Sequence, residues 1–167
     1  SAAPLTAAVF ERVPPPSRLE QTCRYIPVVG WIAASRLGTK RRLPAFAAIE
    51  QVLLDRGKPL FSYPDGSPEA LVSEKLLTLL EDHGQWEAPN FGPDDEVVVA
   101  FASLHYLIEP ELAIEEVREF LDLPPIDLWS SDFQSMTLGQ LITELCAEAG
   151  PEKFDKTSPF FLSPYPR

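Results

Sequence analysis

Proline sets the grain of this chain: eighteen of its 167 residues are proline, against a usual share of about 5%. Each one removes a backbone donor and pushes the residue before it out of the helical region. Regular elements are therefore expected to be short and to end abruptly. With 45% hydrophobic and 23% charged residues, the chain still has the apolar content of a folded protein rather than of a disordered one. At this length one domain over residues 1–167, built on one core, is expected.

The apolar spacing between the prolines is mostly helical. Leu5, Ala8, Val9 and Val13 share a face and predict a helix over about 4–13, ended by Pro14-Pro15-Pro16, an extended spacer. Residues 1–16 thus read as a helix and spacer. Over 18–37, Cys23, Ile26, Val29 and Ala33 keep helical spacing, but Pro27 and Gly30 weaken it and two short helices are expected. Phe46, Ile49, Val52 and Leu53 predict a helix over 44–56, with Pro44 in its first turn and Gly57 and Pro59 as its stop. Ser67 caps a helix beginning at Pro68, with Leu71, Val72, Lys75, Leu76, Leu79, Leu80 and His83 inward.

Gly92-Pro93-Asp94-Asp95-Glu96 resembles a helix start, so 97–108 reads as a central helix, apolar nearly all round, with a buried strand as the alternative. Pro110 opens a further helix, with Ala113, Val117, Phe120 and Leu121 inward and Glu111, Glu115, Glu116 and Glu119 outward, before Pro124-Pro125. Thr137-Leu138-Gly139-Gln140 is a capping box ahead of Leu141, Ile142, Leu145 and Ala149. Residues 152–167 lack periodicity but hold three Phe, one Tyr and three Pro, as an extended tail would. The expected fold is mainly α: six or seven short helices in one compact domain, with Pro-rich loops.

Catalytic material is sparse. His83, in a last helical turn, suits the exposed carbonyls there. His105, four residues before Glu109, could serve as a base, although a hydrogen-bonded core histidine explains it as well. Cys23 and Cys146 lie too far apart in sequence for a dense disulfide framework or a clustered metal site and read as buried free thiols; Cys146, or else Cys23, is the weak candidate nucleophile beside His105 and Glu109. No HExxH, CxxC or calcium loop occurs, so no metal and no cofactor is expected. Gly38-Thr39-Lys40 resembles the end of a P-loop, but Ala33 stands where its first glycine would be.

Charge carries more information. Residues 1–58 hold nine Lys/Arg and four Asp/Glu, a net +5, whereas 59–167 come to −16. The apolar, Trp31-bearing stretch 25–35 runs into Arg36, Lys40, Arg41 and Arg42. Three uses compete: core packing with the cations paired to the chain's own acids, contact with an anionic membrane surface or membrane protein, and nucleic acid. The acidic remainder and a pI near 4.6 argue against nucleic acid. Trp86 and Trp129, in proline-flanked loops, cover core edges or anchor an interface.

No apolar run reaches the roughly 20 residues of a membrane-spanning helix. The chain begins at Ser1 with no cleavable leader, so any targeting segment is expected to be gone. These features favour a non-enzymatic interaction protein: an adaptor, assembly factor or peripheral subunit that docks on another protein or multi-subunit assembly. Its expected contact residues are Trp31, Arg36, Lys40, Arg41 and Arg42, with Phe160 and Phe161 of the tail as a second contact. The alternatives are a peripheral membrane-surface protein using Trp31 and the basic segment, and a small enzyme using His105 and Glu109.

Overall fold

The structure is a computed structural model that describes residues 3–25, 29–82, 86–102, 110–124 and 136–154. Among these residues it is mainly helical, with almost no strand. Seven α-helices follow in order: α1 (Ala8–Glu11), α2 (Arg18–Cys23), α3 (Val29–Arg56), α4 (Pro68–Asp82), α5 (Val97–Ala100), α6 (Pro110–Phe120) and α7 (Leu138–Ala149), with a 3-10 turn at Pro151–Phe154. Helices α1 and α2 pack on α3, and α4 packs on α6 and α7. One apolar core joins Phe46, Ile49 and Leu53 of α3 to Val72, Leu76, Leu79 and Leu80 of α4, Val117 and Leu121 near the end of α6, and Leu138, Leu141, Ile142 and Leu145 of α7.

Several elements sit where their end signals put them. Ser67 accepts the Ala70 amide at the head of α4. The capping box of α7 is complete: Thr137 Oγ1 accepts the Gln140 amide and Gln140 Oε1 accepts the Thr137 amide. Helix α6 closes in a Schellman turn, with the Leu123 amide donating to the Arg118 carbonyl and the Asp122 amide to Glu119. Asp122 takes the left-handed conformation, φ 52°, that glycine usually supplies there.

Others differ from the sequence expectation. The N-terminal helix is one turn, with Ala8 exposed; Leu5 is buried ahead of it. The predicted helices over 18–37 and 44–56 become a short α2 and one 28-residue α3 that runs through Pro44. Proline leaves the Lys40 carbonyl without its helical donor, but packing on both sides of that turn outweighs the loss. Val52 and Phe120, expected inward, are about one-third exposed, 36% and 37%; Phe120 instead lies under the Lys75 ammonium, 5.5 Å from the ring centroid. Ile114 is buried in its place.

The expected central helix over 97–108 ends at Ala100, although Val97, Val99, Ala100 and Phe101 are all buried. Three successive valines are poor helix formers. The Ala100 carbonyl, which would continue the ladder, accepts the Trp86 indole N–H at 2.8 Å. Trp86 is 3% exposed, so it is a core side chain rather than a surface anchor. It stacks on Phe46 at 5.4 Å and meets Phe91 edge-on at 5.8 Å.

The chain is tied together by one carboxylate. Asp95 Oδ1 accepts from the Leu5 amide (2.7 Å) and Arg56 Nη2 (2.9 Å), and Oδ2 from the Gly92 amide (2.7 Å) and Arg56 Nη1 (2.5 Å). Arg56 also donates to the carbonyls of Ala3 and Asn90. The Asp95 and Pro93 carbonyls accept the Leu138 and Gly139 amides of α7. A Cβ on Gly139 would stand 3.0 Å from the Pro93 oxygen, so only glycine permits that approach without displacement.

A second pair holds α6 to α7. Arg118, its side chain 5% exposed, donates twice to Glu148 (2.6 and 2.8 Å) and once to the Pro124 carbonyl (2.7 Å).

Asp95→Asn leaves a buried guanidinium without its counter-charge and should destabilise the fold by about 3–5 kcal/mol in urea unfolding; a loss under about 1 kcal/mol would contradict the central role given to this pair. The Arg118 hydrogen bond holds Glu148 below the ordinary glutamate range. The stability that shift provides is complete above that range and is lost as pH falls through the folded value, so Glu148→Gln should flatten the acid limb of a stability-versus-pH curve.

Candidate functional site

Helix geometry, at about 100° per residue, divides the basic segment. Arg36 and Lys40 lie about 40° apart on the outer side of α3, Arg41 about 100° beyond Lys40, and Arg42 about 200° beyond it. The contacts follow that division. Arg41 turns inward: its Nε and Nη2 donate to Glu20 at 3.2 and 3.3 Å, and its Nη1 to the Pro14 carbonyl at 2.7 Å. Glu20 is 1% exposed, so Arg41 provides a buried counter-charge and fixes both α2 and the proline spacer to α3. Arg42 Nε donates to the Gly38 carbonyl one turn back.

Arg36 and Lys40 are exposed, and among the described residues neither has a hydrogen-bond or ion-pair partner. They stand between Ile32, 45% exposed, and Leu43, 52% exposed, with Leu54, 42% exposed, further along the same side. The backbone of Trp31 belongs to α3; its side chain, like Phe160, Phe161, His83, His105, Glu109 and Trp129, lies outside the described residues. The candidate contact surface is therefore the outer face of α3. The sequence signal that could have found it is the recurrence of Ile32, Leu43 and Leu54 every eleven residues, close to three full turns.

Open clefts are formed among the described residues. One, of about 290 Å³, lies between Pro14, Pro15, Glu20, Leu37, Lys40 and Arg41. Another, of about 420 Å³, is lined by Tyr63, Asp94, Thr137, Gln140, Thr143 and Glu144, among others. In the larger one much of the polar lining serves the backbone: Thr137 and Gln140 form the capping box, and the Thr143 hydroxyl donates to the Gly139 carbonyl. Among the described residues no cluster of His, Cys, Asp and Glu could hold a metal ion.

Cys146 and Cys23 are both free and half-buried. Burial, and next the nearby Glu69 carboxylate, push the Cys146 thiol up to about 11. An activated nucleophile needs the opposite shift.

No family model matches this chain, and comparison with curated proteins and with solved structures likewise found no match.

In a Cys23→Ser background, alkylation of Cys146 followed by mass spectrometry should be slow near neutral pH and accelerate as pH rises toward 11. Rapid labelling at pH 7 would restore it as a reactive thiol. Because the folded thiol holds its proton more tightly than the unfolded one, the associated stability is intact below the ordinary thiol range and lost as pH rises through about 11.

Proposed function

We propose that this chain is a non-enzymatic interaction protein, an adaptor, assembly factor or peripheral subunit, that docks on another protein or multi-subunit assembly through the outer face of α3. The observation that carries this reading is the placement of Arg36 and Lys40, without partners among the described residues, beside exposed Ile32 and Leu43. Apolar side chains at the centre with cations beside them suit a protein surface that offers both an apolar strip and carboxylates.

An anionic membrane fits this face less well. The same side of α3 carries Glu50 between Leu43 and Leu54, and a carboxylate is repelled by an anionic headgroup layer. Among the described residues no helix is long and apolar enough to cross a membrane. Nucleic acid would require the four cations aligned along one face, whereas Arg41 is engaged by Glu20. Catalysis through Cys146 finds no support in a thiol whose proton is held more tightly than usual.

The test is retention of a stoichiometric partner from a native extract by the intact chain and by an Arg36→Glu/Lys40→Glu variant. Both positions are exposed, so the variant should keep the parent circular dichroism while binding falls by about tenfold or more, ~1.4 kcal/mol. Unchanged retention would remove α3 from the interaction. Salt-reversible sedimentation of the intact chain, but not the variant, with phosphatidylserine vesicles would transfer the surface to a lipid partner.

A further inference from the structure

The outer face of α3 is complementary to itself. Its three large exposed apolar side chains, Ile32, Leu43 and Leu54, are evenly spaced at eleven residues, so Leu43 is the midpoint of the stripe. Arg36 lies seven residues before that midpoint and Glu50 seven residues after it, and both are on the stripe within about 40° of Ile32. A two-fold axis at Leu43 therefore matches unlike charges and like surfaces at once. Ile32 meets the partner's Leu54, Leu43 meets its own copy, and Arg36 meets the partner's Glu50, each contact occurring twice as an isologous interface requires.

We infer that the outer face of α3 binds a second copy of this chain, in an antiparallel helix pair whose two-fold axis passes at Leu43. This rests on the reading of that face as a docking surface and names its occupant. The parallel arrangement is disfavoured by the same residues, because it sets Arg36 against Arg36 and Glu50 against Glu50, and like charges placed opposite each other are destabilising. The exposures agree with the antiparallel register: Leu43, at the axis, is the most exposed of the three, 52% against 45% for Ile32 and 42% for Leu54. The stripe is about 33 Å long from Ile32 to Leu54 at 1.5 Å per residue but only one side chain wide, which places the contact toward the small end of specific interfaces.

Sedimentation velocity of the purified chain over a concentration series should show the mass rising from 18.6 kDa toward twice that value. Arg36→Glu and Glu50→Arg should each hold the chain at the monomer mass, because each puts like charges together at both ends. An equimolar mixture of the two variants should dimerise again, since every contact in the mixed pair is then between unlike charges. The Arg36→Glu/Glu50→Arg double variant should dimerise alone. Recovery on mixing also shows that both single variants are folded. With Cys23 and Cys146 replaced by Ser, Leu43→Cys should give a disulfide-linked dimer on mild oxidation.

A parent chain that stays monomeric throughout the series overturns the inference, as does a dimer that either single reversal leaves intact. If the chain is monomeric yet Arg36→Glu/Lys40→Glu still loses a different protein, the second copy is the wrong occupant and the docking reading stands. If that variant loses nothing and the chain is monomeric, both fall.

Discussion

The N-terminal arm, the end of α3, the loop before α5 and the start of α7 all meet at the fork between Arg56 and Asp95. Two buried charged groups gain little from attraction alone, because removing them from water costs several kcal/mol per ion and only good geometry with full hydrogen bonding offsets it. The geometry is good, and every polar atom of the pair but one is hydrogen-bonded. The carboxylate accepts four hydrogen bonds, and the guanidinium donates two to it and two more to backbone carbonyls. Only Arg56 Nε, among buried side-chain atoms of the described residues, lacks a partner. The partners come from the N-terminal arm, the end of α3 and the loop before α5, and the backbone of that loop receives α7. A wrong register in any of these would strand a charge in the core, so the pair selects one arrangement as much as it stabilises it.

This arrangement could not be read from the sequence. Asp94, Asp95 and Glu96 resemble the acidic first turn of a helix, and a helix does begin at Val97. Yet Asp95 turns inward to Arg56, thirty-nine positions earlier, and Glu96 accepts the Ala7 amide at 2.6 Å. Local chemistry predicts that carboxylates belong there; it does not contain the distant guanidinium that claims one of them. The same distinction separates the elements that were legible from those that were not. The capping box of α7 and the serine cap of α4 are self-contained within four residues. The unbroken α3 and the early end of α5 depend on contacts from elsewhere, α2 on one side of Pro44 in the first case and the Trp86 indole in the second.

The basic segment was legible as a feature but not as a surface. Counted along the chain, Arg36, Lys40, Arg41 and Arg42 form one cluster; wound into a helix, they point in three directions. Arg41 answers the buried Glu20, the reading in which the cations pair with the chain's own acids, while Arg36 and Lys40 face outward. One residue of register separates a structural cation from an exposed one, and that register follows from treating 29–56 as one helix. Two helices meeting near Pro44 would not have set Ile32, Leu43 and Leu54 on one line.

The length of α3 explains why it retains an uncovered side. At 1.5 Å per residue its 28 residues extend about 42 Å, beyond the ~30 Å diameter of a small domain. Its large buried apolar side chains, Phe46, Ile49 and Leu53, are concentrated in the C-terminal part, whereas the part before Pro44 buries only the small Ala34 and Gly38 among its described residues. Short partners such as α1 and α2 cannot surround so long a rod, so one side of it faces outward from Ile32 to Leu54. A helix that needed only solubility would carry charge or polar groups on that side. Here three large aliphatic side chains recur on it at even spacing, flanked by a cation before the midpoint and a carboxylate at the same distance after it, a pattern that core packing does not require.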